Sequence, residues 1–304
     1  MAAVTHIRER GHRPRFGGVP VGAAPPKHAV GFPARPKLPS ISVVRPTHLS
    51  NPREKAPTMS PSLPEFPNRT SEFVKGRNPY EGYQRGWGLQ FGDLRERVLK
   101  DPLYQRAAQL AAGRTVVAEE KRMNLFLIIR CFLDRLACRH IIEFGSWRGG
   151  NALFMAACLK ELCPEARVYA LDTFQGMPET DPTIDLHGAG DFSDVDLPAL
   201  EEFAGRNRID NLRFVKGYFE DTAADIYKSV GGFGLAHIDC DIYTAVRFAQ
   251  DTVLPQLCRG GYLVYDDAGV SSCLGATQAV EEFIMSHRLH SEQIWPHFVF
   301  RKPV

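Results

Sequence analysis

Short apolar runs alternate with helical segments through the second half of the chain, and this alternation restricts the fold more than any other feature. Each run has four or five residues and is nearly continuously apolar, which is typical of a strand buried on both faces. Parallel strands of this kind need crossover helices between them. The pattern therefore predicts an α/β fold with a parallel sheet. The predicted strands are His140–Phe144, Arg167–Leu171, Leu212–Val215, Leu235–Ile238 and Tyr262–Tyr265.

Helical spacing of apolar residues, at intervals of three and four, occupies the segments between these strands. The predicted helices are Asn151–Leu162, Leu197–Asn207, Tyr243–Leu257 and Ala276–His287. Upstream, helical spacing starts at Asp93 and is clearest between Glu119 and Leu136. Near the end of the chain, two short segments, Gln293–Trp295 and Phe298–Arg301, are close enough to form a hairpin.

Charge and proline are unevenly distributed over the 304 residues. Residues 1–70 contain 11 Lys and Arg against 3 Asp and Glu, and 13 of the 22 prolines. Without a periodic apolar face, such a segment cannot bury enough area to offset its ordering entropy. We therefore predict a disordered basic, Pro-rich tail over residues 1–70, a helical N-terminal cap over 71–138 and a ligand-binding domain over 139–304. A transit peptide and a weak nucleic-acid tether are alternatives for the tail, although aromatic residues for base stacking are nearly absent from it.

Location and partners follow from what the sequence lacks. No stretch approaches the ~18 to 20 apolar residues of a membrane helix, and the first thirty residues have no apolar signal segment. The seven cysteines are odd in number and never spaced as Cys-x-x-Cys, which argues against a disulfide framework or a zinc site. We expect a cytoplasmic protein without a membrane or nucleic-acid partner, or one imported into an organelle through its basic tail. A homo-oligomer is compatible with the sequence.

The ends of the first two strands have the residue types of a ligand site, and ligands gather beyond the carboxyl ends of an open parallel sheet. The first strand runs into Glu-Phe-Gly-Ser-Trp-Arg-Gly-Gly at 143–150. Glycines let the backbone turn and approach a ligand, and the following helix presents free N–H groups. The second strand ends at Asp172, where a carboxylate can accept both hydroxyl protons of a ribose. A tight turn and a helix cap are the purely structural alternatives.

Four carboxylates follow the fourth and fifth strands, at Asp239, Asp241, Asp266 and Asp267. At neighbouring strand ends they would repel one another unless a cation or protons compensated their charge. A set of oxygen ligands alone suits Mg²⁺ or Mn²⁺ better than Zn²⁺. The alternative is that these residues cap helices. His237 falls within a buried strand, so we expect a core histidine rather than a base.

Five ordered motifs resemble those of the macrocin O-methyltransferase family of class I methyltransferases, which use S-adenosylmethionine. They are Glu143–Gly150, Asp172–Pro178, Gly217–Thr222, His237–Tyr243 and Gly260–Asp267, in a region from about Thr115 to Lys302. The resemblance implies a Rossmann-like, mostly parallel sheet of seven strands in the order 3-2-1-4-5-7-6, with helices on both faces. It makes residues 139–304 a methyltransferase domain that binds S-adenosylmethionine and Mg²⁺.

The resemblance also implies roles for single residues. The implied cofactor residues are Thr115, Glu143, Gly145 and Ser146 on the methionine side, Asp172 and Thr173 at the ribose, and Phe219 and Asp221 beside the adenine. Asp239, Asp266 and Asp267 match the metal ligands, and Asp241 matches the general base. Arg148 and the segment 185–192 resemble the substrate-side loop.

The function predicted from these features is methylation of a hydroxyl on a sugar or phenolic small molecule, with Mg²⁺ favouring the deprotonated oxygen. A metal-dependent glycosyltransferase that uses Asp239-x-Asp241 is an alternative, but it gives no role to the Asp266–Asp267 pair or the first glycine turn. A non-catalytic binding protein with the same fold is a third interpretation, and the intact carboxylates argue against it.

Overall fold

A six-stranded sheet with helices on both faces forms the centre of the computed structural model, which describes residues 94–303. The strands are β1 (Ile141–Phe144), β2 (Val168–Asp172), β3 (Leu212–Lys216), β4 (Phe233–Ile238), β5 (Leu257–Tyr265) and β6 (Phe298–Arg301). They lie in the order β3-β2-β1-β4-β5-β6, and only the β5–β6 pair is antiparallel. The predicted tail, residues 1–70, and residues 71–93 of the predicted cap lie outside the described residues.

Two layers of helices cover the sheet. The α-helices of the described range are α1 (Leu94–Lys100), α2 (Pro102–Ala111), α3 (Glu119–Cys131), α4 (Gly150–Leu162), α5 (Leu197–Arg206), α6 (Phe219–Val230), α7 (Tyr243–Val253) and α8 (Leu274–His287). Helices α1 to α5 share an apolar core with one face of the sheet, and α6 to α8 share a core with the other. Successive strand residues point to opposite faces, so Ile141 packs in the first core and Ile142 in the second. The predicted α/β fold is confirmed. No described helix has the length and apolar character needed to cross a membrane.

Helix α4 explains why the sequence between the first two strands is apolar on every side. Its first ten residues are all buried, because α2 and α3 pack on it from outside while the sheet lies beneath. A helix that is hydrophobic all round belongs in such an interior position. Its neighbour α2 begins where Asp101 accepts hydrogen bonds from the backbone N–H groups of Leu103 and Tyr104 and Pro102 occupies the first turn.

The strand order reverses between β1 and β4. From β1 the chain builds outward through β2 and β3, and from β4 it builds the other way through β5 and β6. The carboxyl ends of β1 and β4 therefore flank a crevice that neither crossover covers, which is where open α/β sheets bind ligands.

The expected seventh strand is wrong for the described residues. Gln293 forms one isolated bridge with Val299, and the chain then leaves the sheet. Ile294 and Trp295 are about half exposed, and Pro296 has no N–H to continue a ladder. The predicted hairpin is reduced to this single bridge.

Two predicted helices are shorter in the structure, and one helix was missed. Helix α7 ends at Val253 rather than Leu257, because Pro255 cannot donate a helical hydrogen bond and a 3-10 turn follows. The helix predicted over Glu119–Leu136 ends at Cys131, before a second 3-10 turn. Helix α6 was not predicted at all, although Ala223 and Ile226 have helical spacing; its start lies within the segment interpreted as a cofactor motif.

Phe154 offers a test of this packing. It is fully buried in α4, and its ring meets the ring of Tyr104 edge-on at 5.6 Å. Phe154→Ala is expected to lower the free energy of unfolding by about 3 to 5 kcal/mol, measured by urea unfolding of the full chain. Met285→Ala is the control, since Met285 is 79% exposed and its loss should change stability by less than about 0.5 kcal/mol. Equal effects of the two substitutions would contradict the assignment of α4 to the core.

Candidate active site

The glycine turn after β1 is forced by a close approach of two strands. Gly145 has a φ of +84°, and a Cβ added to it would lie 1.7 Å from the carbonyl oxygen of Asp239. No other residue fits there without moving the end of β4. The turn delivers the chain to α4, whose N-cap, Gly149, is also left-handed at φ +69°. The close approach of Gly145 therefore holds the glycine turn against Asp239, the first candidate metal ligand.

The carboxylate of Asp172 holds this turn in place. Its Oδ2 accepts hydrogen bonds from the backbone N–H groups of Ser146 at 2.7 Å and Trp147 at 2.8 Å, and its Oδ1 accepts one from Phe174 at 2.6 Å. A carboxylate has about four acceptor sites, so three are occupied by the protein itself. Asp172 therefore organises the cavity wall, and about one site remains for a ribose hydroxyl instead of the two that the sequence suggested.

A cavity of about 330 Å³ opens at the carboxyl edge of the sheet, beside the ends of β1, β2, β4 and β5. This volume lies within the range of small-molecule sites, roughly 300 to 1,000 Å³. The predicted residues that line it are Thr115, Glu143, Gly145, Ser146, Asp172, Thr173, Phe219, Asp239, Asp241, Asp266 and Asp267. Asp221 does not: it is exposed in the first turn of α6, and Tyr218, Phe219 and Glu220 line the cavity instead.

A buried polar network forms the floor of the cavity. Asn151 Nδ2 donates to Glu143 Oε1 at 2.9 Å, and His237 Nδ1 lies 3.3 Å from the same oxygen. Glu143 Oε2, Asn151 Oδ1 and Ser146 Oγ are buried and have no hydrogen-bond partner among residues 94–303. Unpaired buried polar atoms are costly. In the wall of a cavity, they fit a ligand that brings both a positive group and further polar atoms, as the methionine half of S-adenosylmethionine does.

The other predicted cofactor residues lie around this floor. Phe219 meets the ring of Phe144 edge-on at 5.2 Å, so its ring is fixed in the wall where a flat base would pack. Thr115 precedes α3, and its Oγ1 accepts the N–H of Val117 at 3.0 Å. Thr173 donates its hydroxyl to the carbonyl of Gly176 at 2.7 Å, so it also shapes the loop.

Asp239, Asp266 and Asp267 converge as the sequence predicted. Each offers one carboxylate oxygen, and these oxygens lie within 4.8 Å of one another. Burial, and then the charges of the neighbouring carboxylates, raise the pKa of Asp239 and of Asp267 well above the ordinary value. Buried like charges at this distance fit a hard divalent cation, which would remove the repulsion.

Asp266 differs from the other two. Its Oδ2 accepts a hydrogen bond from Lys121 Nζ at 2.6 Å, and its Oδ1 lies 3.1 Å from His297 Nε2. Burial raises its pKa, but the nearby ring of His237, a hydrogen bond from His297 and the charge of Lys121 hold the pKa well below the ordinary value. Asp266 is thus an anion that the protein itself neutralises in part. Sequence reasoning missed Lys121 and His297, because each is remote from Asp266 in the chain.

His237 is a buried core residue, as expected. Although burial lowers its pKa, the carboxylates of Asp266 and Glu143 raise it to about 9. Burial also lowers the pKa of His297, to about 4, so His297 is neutral at neutral pH. Neither histidine lines the cavity.

Asp241 lies at the cavity wall in a strained backbone conformation. Its φ of +60° is uncommon for a residue with a side chain, and its backbone N–H donates to Asp267 Oδ2 at 2.8 Å. Burial raises the pKa of Asp241, and the nearby ring of His187 lowers it in part. A carboxylate held away from water at a cavity wall is suited to accept a proton.

The loop that follows β2, which includes the predicted substrate-side segment 185–192, packs on the glycine turn. Asp194 accepts a hydrogen bond from Trp147 Nε1 at 2.7 Å and pairs with the guanidinium of Arg148. The ring of Phe192 meets that of Trp147 edge-on at 5.6 Å, and both line the cavity. Arg148 does not; it lies over the indole ring with its Cζ 4.4 Å from the ring centre. The predicted contribution of Arg148 is therefore indirect, through Trp147 and Asp194.

Comparison with known proteins decides the family. Residues 111–295, more than half of the chain, match the family model described as macrocin-O-methyltransferase (TylF). The chain belongs to this family. It is therefore an O-methyltransferase, which excludes the glycosyltransferase and non-catalytic interpretations. The match includes α3 and every predicted site residue.

Named relatives agree with the family. The chain is 29% identical over 235 residues to a mycinamicin III 3''-O-methyltransferase from Micromonospora griseorubida, covering 66% of this chain and 90% of the relative. It is 28% identical over 176 residues to an 8-demethyl-8-(2,3-dimethoxy-alpha-L-rhamnosyl)-tetracenomycin-C 4'-O-methyltransferase from Streptomyces olivaceus, covering 55% and 67%. The solved O-methyltransferase NovP shares the fold, with a TM-score of 0.55 and 19% identity over 69% of this chain and 95% of that one.

The hydrogen bonds of Asp172 give the first test of this macrocin-O-methyltransferase site. Asp172→Asn replaces one acceptor oxygen with a donor, so at least one N–H of the turn loses its partner. We expect the free energy of unfolding to fall by about 1 to 3 kcal/mol in urea. Asp225→Asn is the matched control, since the Asp225 side chain is 82% exposed on α6, and a change below about 0.5 kcal/mol is expected there. A stable Asp172→Asn protein would show that the carboxylate does not hold the turn.

The carboxylate cluster gives the second test. In excess chelator, the stability of the protein should depend on the protonation of Asp239 and Asp267. The stability that their protonated forms contribute is fully present below pH 3.8, the ordinary pKa of the group. It is lost as the pH rises through the raised pKa values of the folded protein. Asp267→Asn removes one charge and keeps an acceptor for the Asp241 N–H. In chelator at neutral pH it should therefore raise the Tm, by about 2 to 4 °C for each kcal/mol of repulsion removed.

Added Mg²⁺ should reverse that order. The wild type should gain Tm with Mg²⁺ concentration, as a ligand that binds only the folded state stabilises it, and Asp267→Asn should gain less. Asp225→Asn should behave as the wild type throughout. If millimolar Mg²⁺ left the Tm of the wild type unchanged, the assignment of a metal site to these carboxylates would be wrong.

Proposed function

We propose that this protein is a magnesium-dependent O-methyltransferase that transfers the methyl group of S-adenosylmethionine to a hydroxyl of a sugar or phenolic small molecule. Family membership supports the reaction, and the names of the relatives, which act on mycinamicin and on a rhamnosyl group, support the acceptor class. The observation that carries the proposal is the position of Asp241 at the wall of the cavity, next to three further carboxylates.

The cofactor would be held by the unsatisfied polar atoms of the cavity floor. Glu143 presents a carboxylate oxygen to the methionine ammonium, and Ser146 and Asn151 present further polar atoms. Asp172 has an acceptor site left for a ribose hydroxyl, and Phe219 offers a ring edge or face to the adenine. When bound, S-adenosylmethionine supplies an electrophilic methyl group on a sulfonium. The protein must then hold the acceptor oxygen in line and take its proton.

Asp239, Asp266 and Asp267 would hold the magnesium. Their oxygens form the hard donor set that this ion prefers, and a bound cation would favour the ionised forms of Asp239 and Asp267, whose pKa values are raised without it. When bound, Mg²⁺ lowers the pKa of a hydroxyl that it contacts. Lys121 limits the net charge of the cluster by pairing with Asp266.

Asp241 would accept the proton of the acceptor hydroxyl. Its backbone N–H bond to Asp267 and its left-handed conformation fix the carboxylate relative to the metal candidates. Trp147, Phe192 and Met177 line the cavity and offer apolar surface to a ring. An acceptor with two adjacent oxygens fits best, because one can lie at Asp241 while the other lies at the carboxylate cluster. The cytoplasmic location, the absence of a nucleic-acid partner and the division at residues 70 and 138 stay predictions.

Methyl transfer to catechol and to methyl α-L-rhamnoside tests the proposal, because both present adjacent hydroxyls. S-adenosylmethionine should bind in chelator by calorimetry, whereas turnover should require Mg²⁺. Asp241→Asn should lower kcat by about 10²- to 10⁴-fold while cofactor and Mg²⁺ affinities stay unchanged. Asp267→Asn should lose Mg²⁺ affinity, and excess Mg²⁺ should recover part of its rate. Asp225→Asn serves again as the control.

Two results would contradict the proposal. Full turnover in excess chelator would remove the metal from the reaction, although the family assignment would stand. Rescue of Asp241→Asn by excess Mg²⁺, with none for Asp267→Asn, would show that the roles of base and metal ligand are exchanged.

A further inference from the structure

His187 lies behind Asp241, in the long connection between β2 and α5, and the reaction described above gives it no role. Thr180 Oγ1 donates a hydrogen bond to the carbonyl of His187 at 2.8 Å, and elsewhere in the same loop the Gly190 N–H donates to the carbonyl of Met177 at 2.9 Å. The ring does not line the cavity. Its side chain is 22% exposed, so the histidine connects the interior of the site with water.

The two ring nitrogens of His187 face two different carboxylates. Nδ1 lies 3.2 Å from Asp191 Oδ2, and Nε2 lies 3.7 Å from Asp241 Oδ1. The ring also packs against that of Phe192, with centres 5.7 Å apart. Aspartate, imidazole and the proposed base therefore form a line from the loop surface to the cavity wall.

Asp191 determines which nitrogen carries the proton. Its Oδ2 accepts the backbone N–H of Gly188 at 3.0 Å, and this bond, together with that to His187, lowers the pKa of Asp191. An ionised carboxylate only accepts hydrogen bonds, so Nδ1 of the neutral ring must be the donor. Nε2 is then left with a free lone pair that faces Asp241.

The groups that face His187 and Asp241 allow a proton to pass between the two side chains. Cys273, the N-cap of α8, has its Sγ 3.5 Å from Asp241 Oδ1 and 3.9 Å from His187 Nε2. Burial raises the pKa of this thiol, so it stays protonated and can donate to Asp241, the nearest of these acceptors, to Asp267 or to His187 Nε2. Within the described residues, no lysine or arginine pairs with His187 or Asp241.

We propose that His187, oriented by Asp191, is a positioning residue through which the proton taken up by Asp241 leaves for solvent. This rests on the proposed function, in which Asp241 is the base. The O–H bond of the acceptor breaks as Asp241 takes the proton, and the oxygen keeps the electron pair with which it bonds to the methyl group. The proton then moves from Asp241 Oδ1 to His187 Nε2, and water removes it from Nε2 of the partly exposed ring, which returns to its Nδ1-protonated form.

The distances suit a relay that closes during turnover. At 3.7 Å the Asp241–His187 pair is beyond direct hydrogen-bond distance, so it must close by roughly 0.5 to 1 Å or admit one bridging water. An acceptor bound in the cavity covers Asp241 on that side. The route through His187 lets the base return to its charged form without opening the cavity.

Kinetics of the full-length chain test the relay. His187→Gln keeps a side-chain donor but cannot carry a proton onward, so kcat for catechol or methyl α-L-rhamnoside should fall by about 10- to 100-fold with KM unchanged. His187→Ala should regain part of its kcat with added imidazole, whereas Asp241→Asn should not. Asp191→Asn should lower kcat like His187→Gln. Asp181→Asn is the matched control, since, in the part of the chain that the structure describes, its exposed carboxylate bonds only to Thr183 in the same loop.

Nitrogen NMR of the full-length chain labelled in histidine tests the orientation without any acceptor. The His187 resonances, assigned from their loss in His187→Gln, should show the neutral ring protonated at Nδ1. The proportion of this form should fall in Asp191→Asn and not in Asp181→Asn. A wild-type ring protonated at Nε2 would overturn the proposal, whatever the acceptor.

The outcomes separate this proposal from the one on which it rests. If Asp241→Asn retains the wild-type rate, or neither probe is methylated, the proposed base or acceptor class has failed, and NMR alone decides the orientation of His187. If Asp241→Asn is inactive while His187→Gln retains kcat, the relay is overturned and the base stands. Imidazole that rescues nothing in His187→Ala overturns the relay as well.

Discussion

Repulsion among carboxylates at the carboxyl edge of the sheet is the constraint around which this site is built. A parallel sheet brings the ends of β4 and β5 side by side, so Asp239, Asp266 and Asp267 meet in a buried crevice. Like charges in such a place are tolerated only if something neutralises them. Lys121 neutralises part of the charge of Asp266, the neutral ring of His297 donates a hydrogen bond to it, and the N–H of Asp241 donates one to Asp267. A divalent cation would compensate the negative charge that Asp239 and Asp267 carry when they are ionised.

The cofactor side uses the opposite arrangement, in which one carboxylate is surrounded by donors. Asp172 accepts three backbone N–H groups and so fixes a turn that contains strained and left-handed residues. Because Gly145 also lies against Asp239, the turn cannot shift without moving β4. The cofactor wall and the metal candidates are therefore one rigid unit, which is what in-line transfer requires. The loop that carries His187 and Asp191 is held by local hydrogen bonds and by contacts with Tyr243 and Trp147.

The family and most of the cavity lining were predictable from the sequence, because the residues that decide them lie at strand ends. Glycines and aspartates in those positions have few alternative uses, and the order of strands fixes which ends are neighbours. The prediction that Asp221 lines the cavity was wrong because it followed the order of residues in the motif. Helix α6 begins at Phe219, and its third residue, Asp221, points away from the cavity. The prediction of a seventh strand was wrong because apolar residues before a proline need not stay in a sheet, and Trp295 lies at the surface.

The sequence by itself determined the alternation of strands and helices, the positions of the strand ends and hence the kind of chemistry, since periodicity and residue type are local properties. Only the tertiary structure decided how those residues are shared. It placed Lys121 from α3 on Asp266, gave three of the acceptor sites of Asp172 to the backbone, and brought His187 to Asp241. Apart from the local bond between the Phe174 N–H and Asp172, these pairings join residues 25 to 145 positions apart, and they depend on how the layers pack. No local pattern in the sequence encodes them.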